Sequence, residues 1–173
     1  MRQKYLMIAV LVVSLTGLMN KVESLQLDDP ENAAKVRVFQ KAEITLYPGD
    51  YCYGSDNPAA IDTSNSGFSI FGTHTRVGMP MNDDIPGDYN EYVIQAGKPL
   101  TVMLKWEAEK AGVKASCGPI GSTFYPQAGK NYDITIGYSG SCIVQIRELY
   151  ETSPGKADAR LTPAGASFAC LKK

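Results

Sequence analysis

This chain is expected to fold as an all-β protein, specifically an antiparallel β-sandwich. Its apolar segments are short and alternate residue by residue with polar ones, Gly, Pro, Asn and Asp recur between them, and no stretch sustains a helical period. About eight or nine strands are expected over about 149 residues, a single-domain length, and a small β-barrel is the alternative that satisfies the same pattern.

The clearest alternation lies between Cys117 and Leu149. Tyr132, Ile134, Ile136 and Tyr138 share one face, Ser139-Gly140-Ser141 makes a turn, and Cys142, Val144 and Ile146 return on one face, which predicts a β-hairpin. Upstream, Val36, Val38, Ile44 and Leu46 fall on even positions on either side of Gln40-Lys41, predicting one kinked strand or two short ones. Pro48-Gly49-Asp50 turns the chain into Tyr51-Cys52-Tyr53 and a polar loop over 54–67. A short strand is expected at 67–72 and an exposed loop at 78–90, where two prolines and two glycines interrupt any pattern. Strands at 91–95 and 100–107 are expected to form a hairpin through Ala96-Gly97-Lys98-Pro99, with Leu100, Val102, Leu104 and Trp106 facing the core. Two further strands are expected at 113–117 and 122–125. Residues 107–112 are the one helix candidate, too short to stand alone. A loop is expected at 151–166 and an edge strand at 167–171. An immunoglobulin-like or transthyretin-like arrangement accommodates this set.

The N-terminus reads as an export signal. Arg2 and Lys4 precede an apolar run from Leu6 to Met19, shorter than the ~20 residues that span a bilayer, and Val22-Glu23-Ser24 provides a cleavage site. Cleavage after Ser24 leaves 25–173 as one β-sandwich domain with no membrane span, located in the periplasm. It carries 14 basic and 17 acidic residues, a net charge of about −3 without a basic stripe, so nucleic acid is not an expected partner. Cys52, Cys117, Cys142 and Cys170 make an even count with no C-x-x-C spacing, which in an oxidising compartment favours two disulfides. Of three connectivities, Cys117 with Cys142 and Cys52 with Cys170 is preferred, because the first two cysteines flank the hairpin.

Catalytic motifs are weak. His74 is the only histidine and has no adjacent acid or cysteine, and Gly137-Tyr138-Ser139-Gly140-Ser141 lacks the last glycine of a nucleophile elbow and sits in a hairpin turn. Asn82, Asp83, Asp84, Asp88, Asn90 and Glu91 supply oxygen ligands in type but not in the order of a calcium loop, so no metal or other cofactor is expected. Tyrosine is abundant, with ten in the chain, and Tyr51, Tyr53, Tyr89 and Tyr92 border loops, where aromatic rings give contact area at small entropic cost. The expected binding residues are therefore Asp83, Asp84, Asp88, Tyr89 and Tyr92, with Tyr51 and Tyr53 as a second group.

Phe124-x-Pro126-x-x-Gly129-x-x-Tyr132, followed by Ser141-Cys142-x-Val144, resembles small exported β-sandwich proteins and lipoproteins of Gram-negative bacteria over residues 97–149. The resemblance implies a periplasmic β-sandwich and carries no catalytic residues. Leu18 stands where a lipoprotein cysteine would be, so no lipid anchor is expected. The expected role is a soluble, non-catalytic binding protein whose partner is another protein, such as an immunity protein or inhibitor facing a toxin or hydrolase. A carbohydrate or cell-wall-fragment module and a structural subunit of an envelope assembly are the alternatives. Mass spectrometry of the exported protein should place its N-terminus at or near Leu25; recovery of the full-length chain in the inner membrane is the contrary result.

Overall fold

Alternating side chains need two packed layers to bury one face of each strand, and the computed structural model supplies them as two five-stranded sheets, neither closed into a barrel. It describes residues 31–63, 76–83 and 87–171; the signal segment 1–24, the strand expected at 67–72, His74 and Asp84 lie outside the described residues. The strands are β1 (Ala33–Phe39), β2 (Glu43–Pro48), β3 (Ile61–Asp62), β4 (Tyr89–Gln95), β5 (Leu100–Lys110), β6 (Val113–Phe124), β7 (Asn131–Tyr138), β8 (Cys142–Ser153), β9 (Lys156–Leu161) and β10 (Gly165–Ser167). The first sheet runs β4-β1-β7-β8-β9 and the second β10-β6-β5-β2-β3. Pairing is antiparallel except between β1 and β7, which run parallel with Val36 beside Tyr132 and Val38 beside Ile134. No helix among the described residues is long and apolar enough to cross a membrane.

The core follows the period of two. Val36, Val38, Ile134 and Ile146 of the first sheet meet Ile44, Leu46, Val102, Leu104 and Phe124 of the second. Phe124 and Tyr132 touch edge to face across the layers at 5.1 Å, and the buried Tyr132 hydroxyl accepts the Gln127 N–H at 3.0 Å. Both expected disulfides are present, Cys52–Cys170 and Cys117–Cys142, and two disulfides suit an oxidising compartment. The second joins β6 to β8 and so staples one sheet to the other.

Several local expectations are corrected. Ala96–Pro99 is not a hairpin turn: β4 and β5 belong to different sheets, and this segment crosses between them with Gly97 at φ 74° donating its N–H to Pro126 O. A Gly-Pro turn serves a sheet-crossing corner as well as a hairpin, so local chemistry does not separate the two. The strands expected at 113–117 and 122–125 are one strand bent at Gly118, where a Cβ would stand 2.3 Å from Leu104 O. Residues 107–116 form no helix; they are an exposed two-stranded ribbon continuing β5 and β6 past the core. The loop expected at 151–166 contains the end of β8, all of β9 and the start of β10, whose small alanines gave little apolar signal.

The largest departure concerns the loop expected at 78–90. On the outer face of the first sheet, Glu91, Arg37, Asp133 and Arg147 stand directly opposite one another across β4, β1, β7 and β8, alternating in charge. Arg37 lies 3.0 Å from Glu91 and 3.3 Å from Asp133, with Arg37 and Asp133 fully buried and Glu91 2% exposed. Burial is possible because residues 77–82 lie across this row as a strap. Glu91 Oε2 accepts the N–H groups of Val77, Gly78 and Met79 at 2.7, 3.1 and 3.4 Å, Arg37 donates to Pro80 O at 2.9 Å, and Asn82 donates to Asp133 at 2.9 Å. Lys35 Nζ holds Val77 O at 2.8 Å. Met81 exchanges backbone bonds with Gly155 and Ala157, and Met79 packs on Leu149 and Ala157.

Burial pushes the Glu91 carboxyl up, but the Val77 and Met79 N–H groups and the Arg37 guanidinium outweigh it and hold its pKa below the ordinary value. Asp133 shares Arg37 but lacks those backbone donors. There burial prevails over Arg37, Arg147 and Asn82, and the pKa is raised. Replacing Arg37 by Met leaves Glu91 buried without its cation and Asp133 with only Arg147 at 3.8 Å, and should destabilise the protein by ~3–5 kcal/mol in urea melts. Because a depressed carboxylate stabilises above its unfolded value and loses that contribution as pH falls through the folded one, Glu91→Gln should be less stable than the parent at neutral pH, with the gap narrowing below pH ~4.3; a gap independent of pH is the contrary result. Closing a loop with a separation of 118 residues makes Cys52–Cys170 worth ~4–5 kcal/mol, so its reduction should lower the urea midpoint, and denatured, unreduced protein should label at no thiol.

Candidate functional site

The two halves of β8 have different surroundings. Arg147–Ser153 pair with β9, but β9 ends at Leu161, because Pro163 has no N–H to continue the ladder and the chain crosses to the second sheet to form β10 against Gly121–Thr123 of β6. Thr162 N donates to Ile146 O at 2.9 Å as the last bond of that edge. The side of the sandwich between the start of β8 and the β6–β10 pair is therefore open. It forms a groove of about 570 Å³ whose walls include Tyr53, Ile120, Val144, Ile146, Leu161 and Phe168, and among the described residues no Asp, Glu, Lys or Arg lines it. A second cleft of about 490 Å³, between Trp106, Ala115, Ile136 and Tyr138, meets the groove at Cys142.

The lip of the groove is apolar and exposed: Phe168 is 76%, Leu161 69% and Ile143 39% exposed. Single exposed hydrophobes need no explanation, but three around one concavity make a patch. Phe168 is also held in place. Its neighbour Ser167 is buried and donates to Tyr51 O at 2.7 Å, its own carbonyl accepts the Tyr53 N–H at 3.1 Å, Cys170 N donates to Tyr53 O at 2.8 Å, and the Cys52–Cys170 disulfide closes the pair of segments. Tyr53 in turn lies flat on Gly121, where an added Cβ would stand 2.5 Å from its ring. Among the described residues the groove offers an apolar lining and no charged group for acid–base work.

The structure does not gather the residues expected to bind in one place. Tyr53 lines the groove. Tyr51 stands at an end of the sandwich against Tyr125, ring centroids 6.4 Å apart, with the Tyr125 hydroxyl donating to Tyr51 at 3.2 Å; that hydrogen bond, then burial, pushes the Tyr125 pKa up. Tyr89 opens β4 beside the strap, its ring 3.7 Å from the Arg76 guanidinium and 4.8 Å from that of Arg37, with its hydroxyl donating to Met81 Sδ. Tyr92 sits in β4 and packs against the main core, so it does not present a loop ring to a partner. Asp83 and Asp88 are exposed, whereas Asn82, Asn90 and Glu91, counted among possible oxygen ligands, are buried, and Asn82 and Glu91 hold the strap. Among the described residues no three of His, Cys, Asp and Glu gather as a metal set.

Phe168, Leu161 and Ile143 were not anticipated. Alternation from Phe168 to Cys170 was the available signal, but it reads equally as an inward-facing edge strand. No family model, curated protein or solved structure matches this chain. Since Tyr53 depends on the absence of a side chain at 121, Gly121→Ala should cost ~1–3 kcal/mol in denaturant melts, whereas Gly165→Ala, with open space around it, should leave the melt nearly unchanged.

Proposed function

We propose that this chain is a non-catalytic binding protein of the bacterial periplasm that docks on another protein through the groove between β8 and the β6–β10 pair. The supporting observation is the set of exposed apolar side chains, Phe168, Leu161 and Ile143, around an uncharged concavity, with Phe168 held by a disulfide and main-chain hydrogen bonds. Rigid aromatic and aliphatic anchors beside a pocket lose little entropy on binding and dominate the energy of protein interfaces. An immunity protein or inhibitor is the concrete form: an exported, disulfide-tied domain that meets a toxin or hydrolase and covers its working surface. The exposed Tyr51–Tyr125 pair supports a second reading, a carbohydrate or cell-wall-fragment module, because paired rings offer stacking faces beside hydroxyl groups.

A photo-crosslinking residue at Phe168, expressed in cells with their periplasm intact, should give a discrete protein adduct that the same group at Val113 on the ribbon does not. Leu161→Asp in the probe-bearing protein should abolish that adduct, and Leu161→Asp combined with Phe168→Asp in the protein without the probe should weaken the isolated complex at least ~30-fold, while the thermal midpoint stays near that of the parent because both side chains are exposed. Equal adducts at both positions, or none at 168, would count against groove docking. Adducts to glycan from a probe at Tyr125 would favour the carbohydrate reading.

A further inference from the structure

We infer that the partner presents an extended, uncharged and alternately apolar segment, which the groove takes up by strand addition to the free edge of β8. This deepens the protein-docking reading and rests on it. Ile146 O accepts the Thr162 N–H, so residue 146 turns its backbone groups away from β7, and the two-residue period of an antiparallel ladder turns Val144 and Cys142 the same way. Strand β9 reaches only the position opposite Arg147, and among the described residues no strand pairs with 142–145 on that side. Ile143, Val144, Gln145 and Ile146 all line the groove, so the unpaired edge and the concavity are one feature. Exposed edges are commonly blunted by charge, by Pro or by a bulge, and Cys142-Ile143-Val144-Gln145 carries none of the three.

The geometry also restricts the occupant's chemistry. An incoming strand takes the lane that β9 leaves at Pro163, exchanging main-chain bonds with Val144 while alternate side chains enter between the sheets beside Ile120, Val144 and Ile146. A Lys, Arg, Asp or Glu at one of these inward positions would be desolvated against walls whose described residues offer no opposite charge, which selects a neutral segment. The side chains between them face outward, where composition matters less. Recognition by main chain gives affinity, and the neutral walls give selection by charge.

Three capped octapeptides test this on the folded, disulfide-intact protein: alternating Val and Thr, the same sequence N-methylated at alternate residues, and one with Lys replacing each Val. The first should shift the amide resonances of residues 143–146 and slow exchange of the Val144 amide; the other two should do neither. Val144→Pro removes an N–H that faces away from β7, so no ladder bond is lost. It should weaken the first peptide at least ~10-fold, while Val144→Thr, which keeps the N–H, should bind like the parent. Should Val144→Pro fail to fold, amide exchange on the parent decides. An unchanged Val144 amide up to about 1 mM peptide, or equal binding by the N-methylated or Lys peptide, would overturn strand addition, as would protection of Val144 on concentrating the protein alone, which would make a second copy the occupant. These failures, with the Phe168 adduct intact, would leave protein docking standing; loss of that adduct would remove both.

Discussion

Arg37 is the side chain on which the outer half of this protein depends. A guanidinium without exposure cannot be left unpaired at a tolerable cost, and its five N–H donors in a fixed plane must find acceptors from several directions. Glu91 supplies one on β4, Asp133 another on β7, and the Pro80 carbonyl of the strap a third. The requirement couples three parts of the chain far apart in sequence. It suits the one parallel pairing in the sheets, since β1 beside β7 sets Asp133 directly opposite Arg37. Replacing a buried ion pair by a hydrophobic row is often neutral for stability, but such a row would not distinguish one strap register from another, whereas alternating charges and three N–H groups on one carboxylate do.

The strap and the groove lie on different parts of the first sheet, and they treat their side chains in opposite ways. On the strap side, polar groups are spent on one another: Glu91, Asp133, Asn82, Lys35 and the main chain of 77–81 satisfy each other, and Met79 is buried on Leu149. On the groove side, apolar area is left in water at 161 and 168, which forfeits burial worth roughly 1.5–3 kcal/mol for each such side chain. Disulfides and main-chain bonds hold that area in place, so a partner that covers it need not first order it.

The Cys117–Cys142 staple lies on the groove side. It joins β6 to β8 beside the open edge, at the point where the groove and the second cleft meet, and so limits how far the layers can separate when something enters between them. Cys52–Cys170 does the corresponding work for Phe168. One covalent tie thus fixes the width of the groove and the other fixes its lip.

The sequence by itself determined the elements that depend on neighbours in the chain. Alternation from Tyr132 to Tyr138 and from Cys142 to Ile146, with a glycine turn between, specified the β7–β8 hairpin; the runs on either side of Gln40-Lys41 marked extended chain but left open one kinked strand or the two that form, β1 and β2; an even count of four cysteines pointed to two bridges. Tertiary structure alone decided what covers each face. Arg37, Glu91 and Asp133 fall on the polar side of their strands and are buried only because 77–82 covers them, while the edge strand expected at 167–171 ends at Ser167 and leaves Phe168 exposed beside the open edge. The same limit applies at Ala96–Pro99, where one set of turn residues serves a hairpin or a corner and the choice is made by which sheet receives β5. Side-chain period is a local property of the backbone, whereas burial is set by segments distant in sequence, and the candidate site is made entirely of the second.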